Sequence, residues 1–157
     1  MRKVRARGND KALRSSIDRA LAVVKFQNQK PVVSSTQNPY SLYFWVPMLP
    51  KIHTNGAHGH WSKKYRAVSA LKGRVHYLIM EHVPPKALDK AKVTLIRYGS
   101  VEPDFDNLVA SFKPVIDGLV LAGVLANDKQ ANIGQPDYQF VKGKRAEGAF
   151  SVKVEEI

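Results

Sequence analysis

Apolar positions along the chain repeat with two different periods, and the alternation between them lays out the elements. Leu13, Ile17, Ala20, Leu21 and Val24 recur at helical spacing, with Asn9 or Asp10 placed to cap the start. The polar stretch 27–37 reads as a linker. Tyr40 to Val46 is an aromatic-rich strand ended by Pro47 and Pro50. Asn55, Gly56 and Gly59 mark a loop before a helix from about Ser62, whose buried stripe is Val68, Leu71, Val75, Leu78 and Ile79. Pro84 and Pro85 stop that helix, and Lys92 to Tyr98 follows as a strand centred on Thr94, Leu95 and Ile96. Leu108, Val109, Phe112, Val115, Ile116, Leu119 and Val120 then make the apolar stripe of a further helix. Within it Pro114, which has no amide hydrogen, either kinks the helix or starts a new one after Lys113. Tyr138 to Lys142 and Ala149 to Glu155 read as two strands joined by the turn-forming run from Gly143 to Gly148. In the last strand Phe150, Val152 and Val154 alternate with Ser151, Lys153 and Glu155, the pattern of a half-exposed strand.

These elements occupy 157 residues, one domain's worth of chain, and 44% hydrophobic content with 24% charged residues excludes wholesale disorder. The expected organisation is a basic arm over 1–38, comprising an amphipathic helix and linker, followed by a compact domain over 39–157. Charge changes the picture more than composition does. Twenty-five Lys and Arg against thirteen Asp and Glu leave a net +12, which calls for a polyanionic partner. Residues 1–30 hold nine of the cations against Asp10 and Asp18, a local +7. A second basic surface lies over 51–76, which has six Lys or Arg, four histidines and no acid; Lys63, Lys64, Arg66 and Arg74 face outward from the helix stripe. The absence of cysteine excludes disulfides and cysteine-based zinc sites and fits a reducing cytoplasm. No apolar run reaches the ~18 residues needed to span a bilayer, and the basic N-terminus leads into a charged amphipathic stretch instead of a signal-peptide core. The expectation is a soluble, cytoplasmic protein with no membrane partner.

Between Val101 and Asp137 the balance reverses. Glu102, Asp104, Asp106, Asp117, Asp128 and Asp137 stand against Lys113 and Lys129 alone. A protein that attracts phosphates gains from clustered carboxylates only if they hold a divalent cation, and magnesium, a hard ion with oxygen ligands, suits them. Asp104 and Asp106 are alternate residues of an extended segment, so they project together near the positive end of the following helix. On an ideal helix Lys113 and Asp117 fall within about 20° of Asp106. Structural roles stand beside each of these. Asp or Asn before an apolar run is an ordinary N-cap, worth about 1 kcal/mol; Asp117 is an i,i+4 partner for Lys113; Asn127-Asp128 is a common turn pair. His58 and His60 sit in a glycine loop and read as donors toward a nucleic acid, and Trp61 and Tyr65 either stack on an unpaired base or pack in the core.

Taken together, Pro103-Asp104-x-Asp106-Asn107, then Lys113-Pro114-x-x-Asp117-Gly118-Leu119, then Gly123-Val124-x-x-Asn127-Asp128 resembles the RusA family of Holliday junction resolvases, often encoded by phages and prophages. The resemblance spans about residues 45–157 and is sharpest over 103–128. It differs in having Asn127 where the family often has a second aspartate, and in setting Lys113 three residues farther from Asp106. It implies an α+β fold, a small mixed sheet with packed helices preceded here by the basic helical arm. It also implies a homodimeric crossover junction endodeoxyribonuclease that uses Mg2+, with Mn2+ as a possible substitute, to nick opposing strands of a four-way DNA junction. Asp104, Asp106 and Asp128 match the metal-holding catalytic aspartates and Lys113 the catalytic lysine, while Lys63, Lys64, Arg66, Arg74 and Asn107 are the expected DNA contacts. The alternative is a non-catalytic DNA- or junction-binding module in which the acids only cap helices. A polymerase-β-type nucleotidyltransferase is disfavoured because three residues between Ser100 and Asp104 leave no room for a helix. A nucleotide-sugar transferase is disfavoured because it would normally need a larger domain and no glycine-rich phosphate loop is present.

Overall fold

The computed structural model describes residues 29–47, 61–143 and 148–157, with the side chains of 61–64 left aside. The expected arm helix over Leu13 to Val24, the 51–60 loop with His58 and His60, and the side chains of Trp61, Lys63 and Lys64 lie outside the described residues. Five strands form one mixed sheet in the order β1-β2-β5-β3-β4: β1 Val32–Gln37, β2 Tyr40–Pro47, β3 Ala91–Gly99, β4 Asp137–Lys142 and β5 Ala149–Glu156. Two long helices, α1 Trp61–Ile79 and α2 Phe105–Leu121, and a short α3, Gln130–Ile133, complete an α+β fold. Among the described residues no helix is long and apolar enough to cross a membrane.

The strand alternation is realised as a sheet with one covered face. Leu42, Phe44 and Val46 of β2, Val93 and Leu95 of β3, and Phe150, Val152 and Val154 of β5 are all buried, and they meet Leu71, Val75 and Ile79 of α1 and Leu108, Phe112, Val115 and Leu119 of α2 in a single core. Tyr43 and Lys153, which alternate with those residues, are exposed, as an antiparallel sheet with one solvated side requires. Ser151 is the exception on the outer side. It is buried in the sheet centre, its Cα opposite those of Trp45 and Ile96, and its hydroxyl lies 3.3 Å from that of Tyr98.

Three expectations change. The stretch read as a linker contains β1, so residues 32–37 belong to the sheet. A polar sequence suffices there because β1 is an edge strand: it pairs with β2 from Val32↔Trp45 to Gln37↔Tyr40, turns Val33 toward the core and sets the Ser35 hydroxyl 3.1 Å from His82 Nδ1. β4 and β5 are not neighbours. β4 runs parallel to β3 at the far edge, and β5 crosses to lie between β2 and β3. Of the two alternatives for Pro114, a new helix starting after Lys113 does not form, since α2 is continuous from Phe105 to Leu121.

α1 and α2 approach most closely at Gly118. A β-carbon there would lie 2.8 Å from Val75 Cβ and 3.0 Å from the Lys72 carbonyl oxygen. Both neighbours are stiff, one a β-branched carbon and the other backbone. Gly118→Ala is therefore expected to destabilise the protein. An overpacked contact costs about 1–3 kcal/mol, and the better helix propensity of alanine returns only about 1 kcal/mol. A lowered midpoint in a denaturant titration is the readout, and Gly118→Val should lower it further.

Candidate functional site

α2 positions most of the candidate residues. β3 ends at Gly99, and five residues later the chain enters α2 with Asp104 at the N-cap position (φ −57°, ψ 152°); its carbonyl oxygen accepts the first helical hydrogen bond from Leu108 N at 2.9 Å. The Asp104 carboxylate makes no capping hydrogen bond. Asp104 holds the position expected of a cap without doing the chemistry of one, and its side chain is exposed; Asp106 is exposed too but lies inside the first turn of α2, so the two are not alternate residues of an extended segment as the spacing suggested. Unspent carboxylates at the positive end of a 17-residue helix are favourably placed for charge, yet neither forms an ion pair among the described residues.

Two turns along the same edge, the Lys113 ammonium lies 2.9 Å from Asp117 and also bonds the Asp128 carboxylate. The first contact is the i,i+4 pair expected from spacing, worth only about 0.3–0.5 kcal/mol at this exposure. The second is long-range and has a structural cause. α2 ends at Leu121, and Gly123 just beyond it has a φ of +82° that permits the left-handed turn in which Gly123 N donates to Val120 O (3.0 Å) and Val124 N to Leu119 O (3.0 Å). The reversed chain is then pinned against Leu88, through Leu88 N to Val124 O and Ala126 N to Leu88 O, both 2.9 Å. Asp128 is thereby carried back beside Lys113, fifteen residues earlier in sequence.

The hydrogen bond from Lys113 holds the Asp128 carboxyl below the usual carboxylate range, and the same bond is the main cause raising Lys113 above its ordinary value. The signs set a window. Asp128 contributes when ionised, so its part is lost as pH falls through its depressed pKa; Lys113 contributes when protonated, so its part is lost as pH rises through its raised one. At neutral pH the pair is intact. Lys113→Met is expected to move the Asp128 pKa up toward the ordinary carboxylate value, measurable by a carboxyl-carbon NMR titration.

The structure brings Lys113, Asp117 and Asp128 together, but it does not gather Asp104, Asp106 and Asp128 into one ligand set. Among the described residues no three His, Asp or Glu side chains stand close enough to hold a metal ion. On an ideal helix seven residues separate Asp106 from Lys113 by about 10.5 Å along the axis, and Asp128 is held at the Lys113 end. The donor chemistry, exposed carboxylate oxygens, suits a hydrated magnesium ion at Asp104 or Asp106 with water and a phosphate supplying the rest. Asp128 joins them only by leaving Lys113.

Of the expected DNA contacts, Arg66 and Arg74 are exposed on α1, and Asn107 is half-buried in the first turn of α2 with its side chain engaged. Tyr65 does not pack in the core, being 67% exposed. Two aromatic residues escaped the sequence reading. Phe105, between the two acids, is 62% exposed and meets the Tyr138 ring edge-on at 6.3 Å; Tyr138 also contacts Phe112 at 6.2 Å. Tyr138 thus stands between the Asp104–Asp106 pair and the Lys113 cluster. Burial raises its hydroxyl pKa, opposed by the nearby Lys113 charge. For Phe105 the only signal points the other way, since Leu108, Val109 and Phe112 follow it at i+3, i+4 and i+7 and put it in phase with the α2 stripe. For Tyr138 none existed, because its place depends on β4 pairing with β3.

Compared with known proteins, the chain matches no protein-family model and no curated protein.

Proposed function

We propose that the chain is a magnesium-dependent, structure-specific endodeoxyribonuclease that resolves four-way DNA junctions, working in the cytoplasm as a homodimer of the RusA type. The observation that carries this reading is the return of Asp128 to the α2 edge that also bears Asp106 and Lys113, in the order the motif resemblance calls for. The opposed charges support it too, with an acidic edge set in a chain of net +12.

In this mechanism Asp104 and Asp106, and Asp128 once it has left Lys113, would be the residues to hold Mg2+ or Mn2+. The ion supplies Lewis acidity to the scissile phosphate and lowers the pKa of the attacking water. Water adds to phosphorus, the bond to the 3′ oxygen breaks, and the water proton passes to solvent while the leaving oxygen is protonated. Lys113, drawn from its carboxylates by the incoming phosphate, neutralises the charge that builds on the nonbridging oxygens. Lys63, Lys64, Arg66 and Arg74 belong to a helix with no acidic residue and contact backbone phosphates without reading sequence. Asn107 stands beside the acids, within reach of the strand being cut. A two-fold enzyme matches a two-fold substrate and gives the paired nicks.

The test is the wild-type protein on a synthetic four-way junction. Paired nicks are expected with Mg2+ or Mn2+ and none with chelator, and junction affinity is expected to fall steeply as salt rises. The second reading, a non-catalytic junction-binding module, is favoured by one observation: Lys113 already neutralises Asp128. Junction binding without nicking at any magnesium concentration would establish that module and remove the nuclease.

A further inference from the structure

A cavity of about 290 Å³ opens beside the Lys113–Asp128 contact, between α2 and the chain running from α3 into β4. We propose that it receives a single unstacked nucleobase from the DNA strand whose phosphate lies at Lys113. This rests on the nucleic-acid reading above and names the part of the substrate that the acidic edge does not touch.

Three properties of the walls point to a planar heterocycle. Ile116 and Ile133, both almost fully buried, form an apolar floor, and Tyr138 and Pro136 add flat side walls. The Tyr138 ring is fixed by two phenylalanines, Phe105 at 87° and Phe112 at 41°, so it offers a stacking surface that does not have to be ordered on binding. Gln130 and Gln135, both exposed, stand at the rim. A glutamine amide presents a donor and an acceptor together, as a base edge requires, whereas a purely anionic ligand would have no use for the acceptors. Lys113 completes the rim together with Asp128, to which it is bonded, and would meet the phosphate of such a nucleotide once that bond opens.

The placement also suits the substrate. Bases at a branch point are the ones least held by stacking, so extracting one costs less there than inside a duplex. A base seated between Tyr138 and Pro136 would hold its strand alongside Asp104 and Asp106, because Phe105 links the Tyr138 ring directly to that acid pair.

The experiment is an NMR titration of isotopically labelled full-length protein, without metal, using each of the four deoxynucleoside 5′-monophosphates. Deoxyribose 5-phosphate and inorganic phosphate serve as controls. Nucleotides are expected to shift the amide signals of Gly134, Gln135 and Tyr138 saturably, with a dissociation constant at or below about 10 mM. The controls should leave Gln135 unmoved. Replacing both rim glutamines, Gln130→Ala with Gln135→Ala, should weaken nucleotide binding about tenfold; both are exposed, so the fold is kept, as an unchanged amide spectrum would verify. Equal shifts with sugar phosphate, or no saturable shift with any nucleotide, would overturn the proposal. The titration involves no cutting, so the two readings fail separately: bound nucleotide with no nicking removes the nuclease alone, and nicking with no bound nucleotide removes the base site alone.

Discussion

If the proposed nuclease reading holds, Asp104→Asn is expected to lower the magnesium-dependent nicking rate about 10³-fold, equivalent to about 4 kcal/mol in the barrier, while leaving junction affinity within about twofold of wild type. The substitution is nearly isosteric and removes charge and metal affinity together. It also separates the two roles that sequence reading leaves open for this residue. Asparagine caps a helix as well as aspartate does, so if capping were the role of Asp104, the variant would lose neither stability nor activity. The structure already points away from capping, since the carboxylate accepts no backbone N–H. Accordingly, Asp104→Ala should change the unfolding free energy by no more than about 0.5 kcal/mol, where an operating cap would cost about 1 kcal/mol. A stable, junction-binding, non-cutting pair of variants is the expected result. Retention of nicking within tenfold of wild type would mean that the acid pair is not where the phosphodiester is hydrolysed.

How far such a site can be read from sequence depends on the range of the interactions that build it. The Lys113–Asp117 contact follows from helical spacing alone and is present at 2.9 Å. The Lys113–Asp128 contact needs a helix end, a left-handed glycine and a bridge to Leu88, and spacing could say only that such a return was allowed. Tyr138 reaches the site through a parallel pairing of β4 with β3 that no local pattern encodes. The fold divides the same way. β2, β3, β5 and both long helices have strong apolar periods and lie close to their expected spans. β1 was missed because an edge strand with one inward valine resembles a polar linker, and the central position of β5 was missed because alternation shows that a strand has two faces without saying which strands flank it.

The second large effect joins the core to the site. Phe112→Ala is expected to destabilise the protein by about 3–5 kcal/mol, a large share of the roughly 5–15 kcal/mol that holds a domain of this size together. Phe112 is fully buried on the α2 face that meets the sheet. Its ring lies 6.1 Å from Phe150 at 79°, Phe150 in turn lies 6.3 Å from Phe44 at 83°, and the other side of Phe112 meets Tyr138. One side chain therefore ties α2 to the central strand and also braces the aromatic wall beside Lys113. Alanine would empty that space without allowing the surrounding strands to close it, because β5 is hydrogen-bonded on both edges. The denaturant midpoint should fall with the slope unchanged, as for a loss of packing without a change in the unfolded chain. Phe105→Ala is the contrasting variant. Its ring is mostly exposed, so the expected stability loss is below about 1 kcal/mol, yet it removes the edge contact that steadies Tyr138 next to the two acids. If Phe112→Ala proves no more damaging than Phe105→Ala, then α2 is not held to the sheet through this ring, and the placement of the edge that bears Asp106 and Lys113 must have another support.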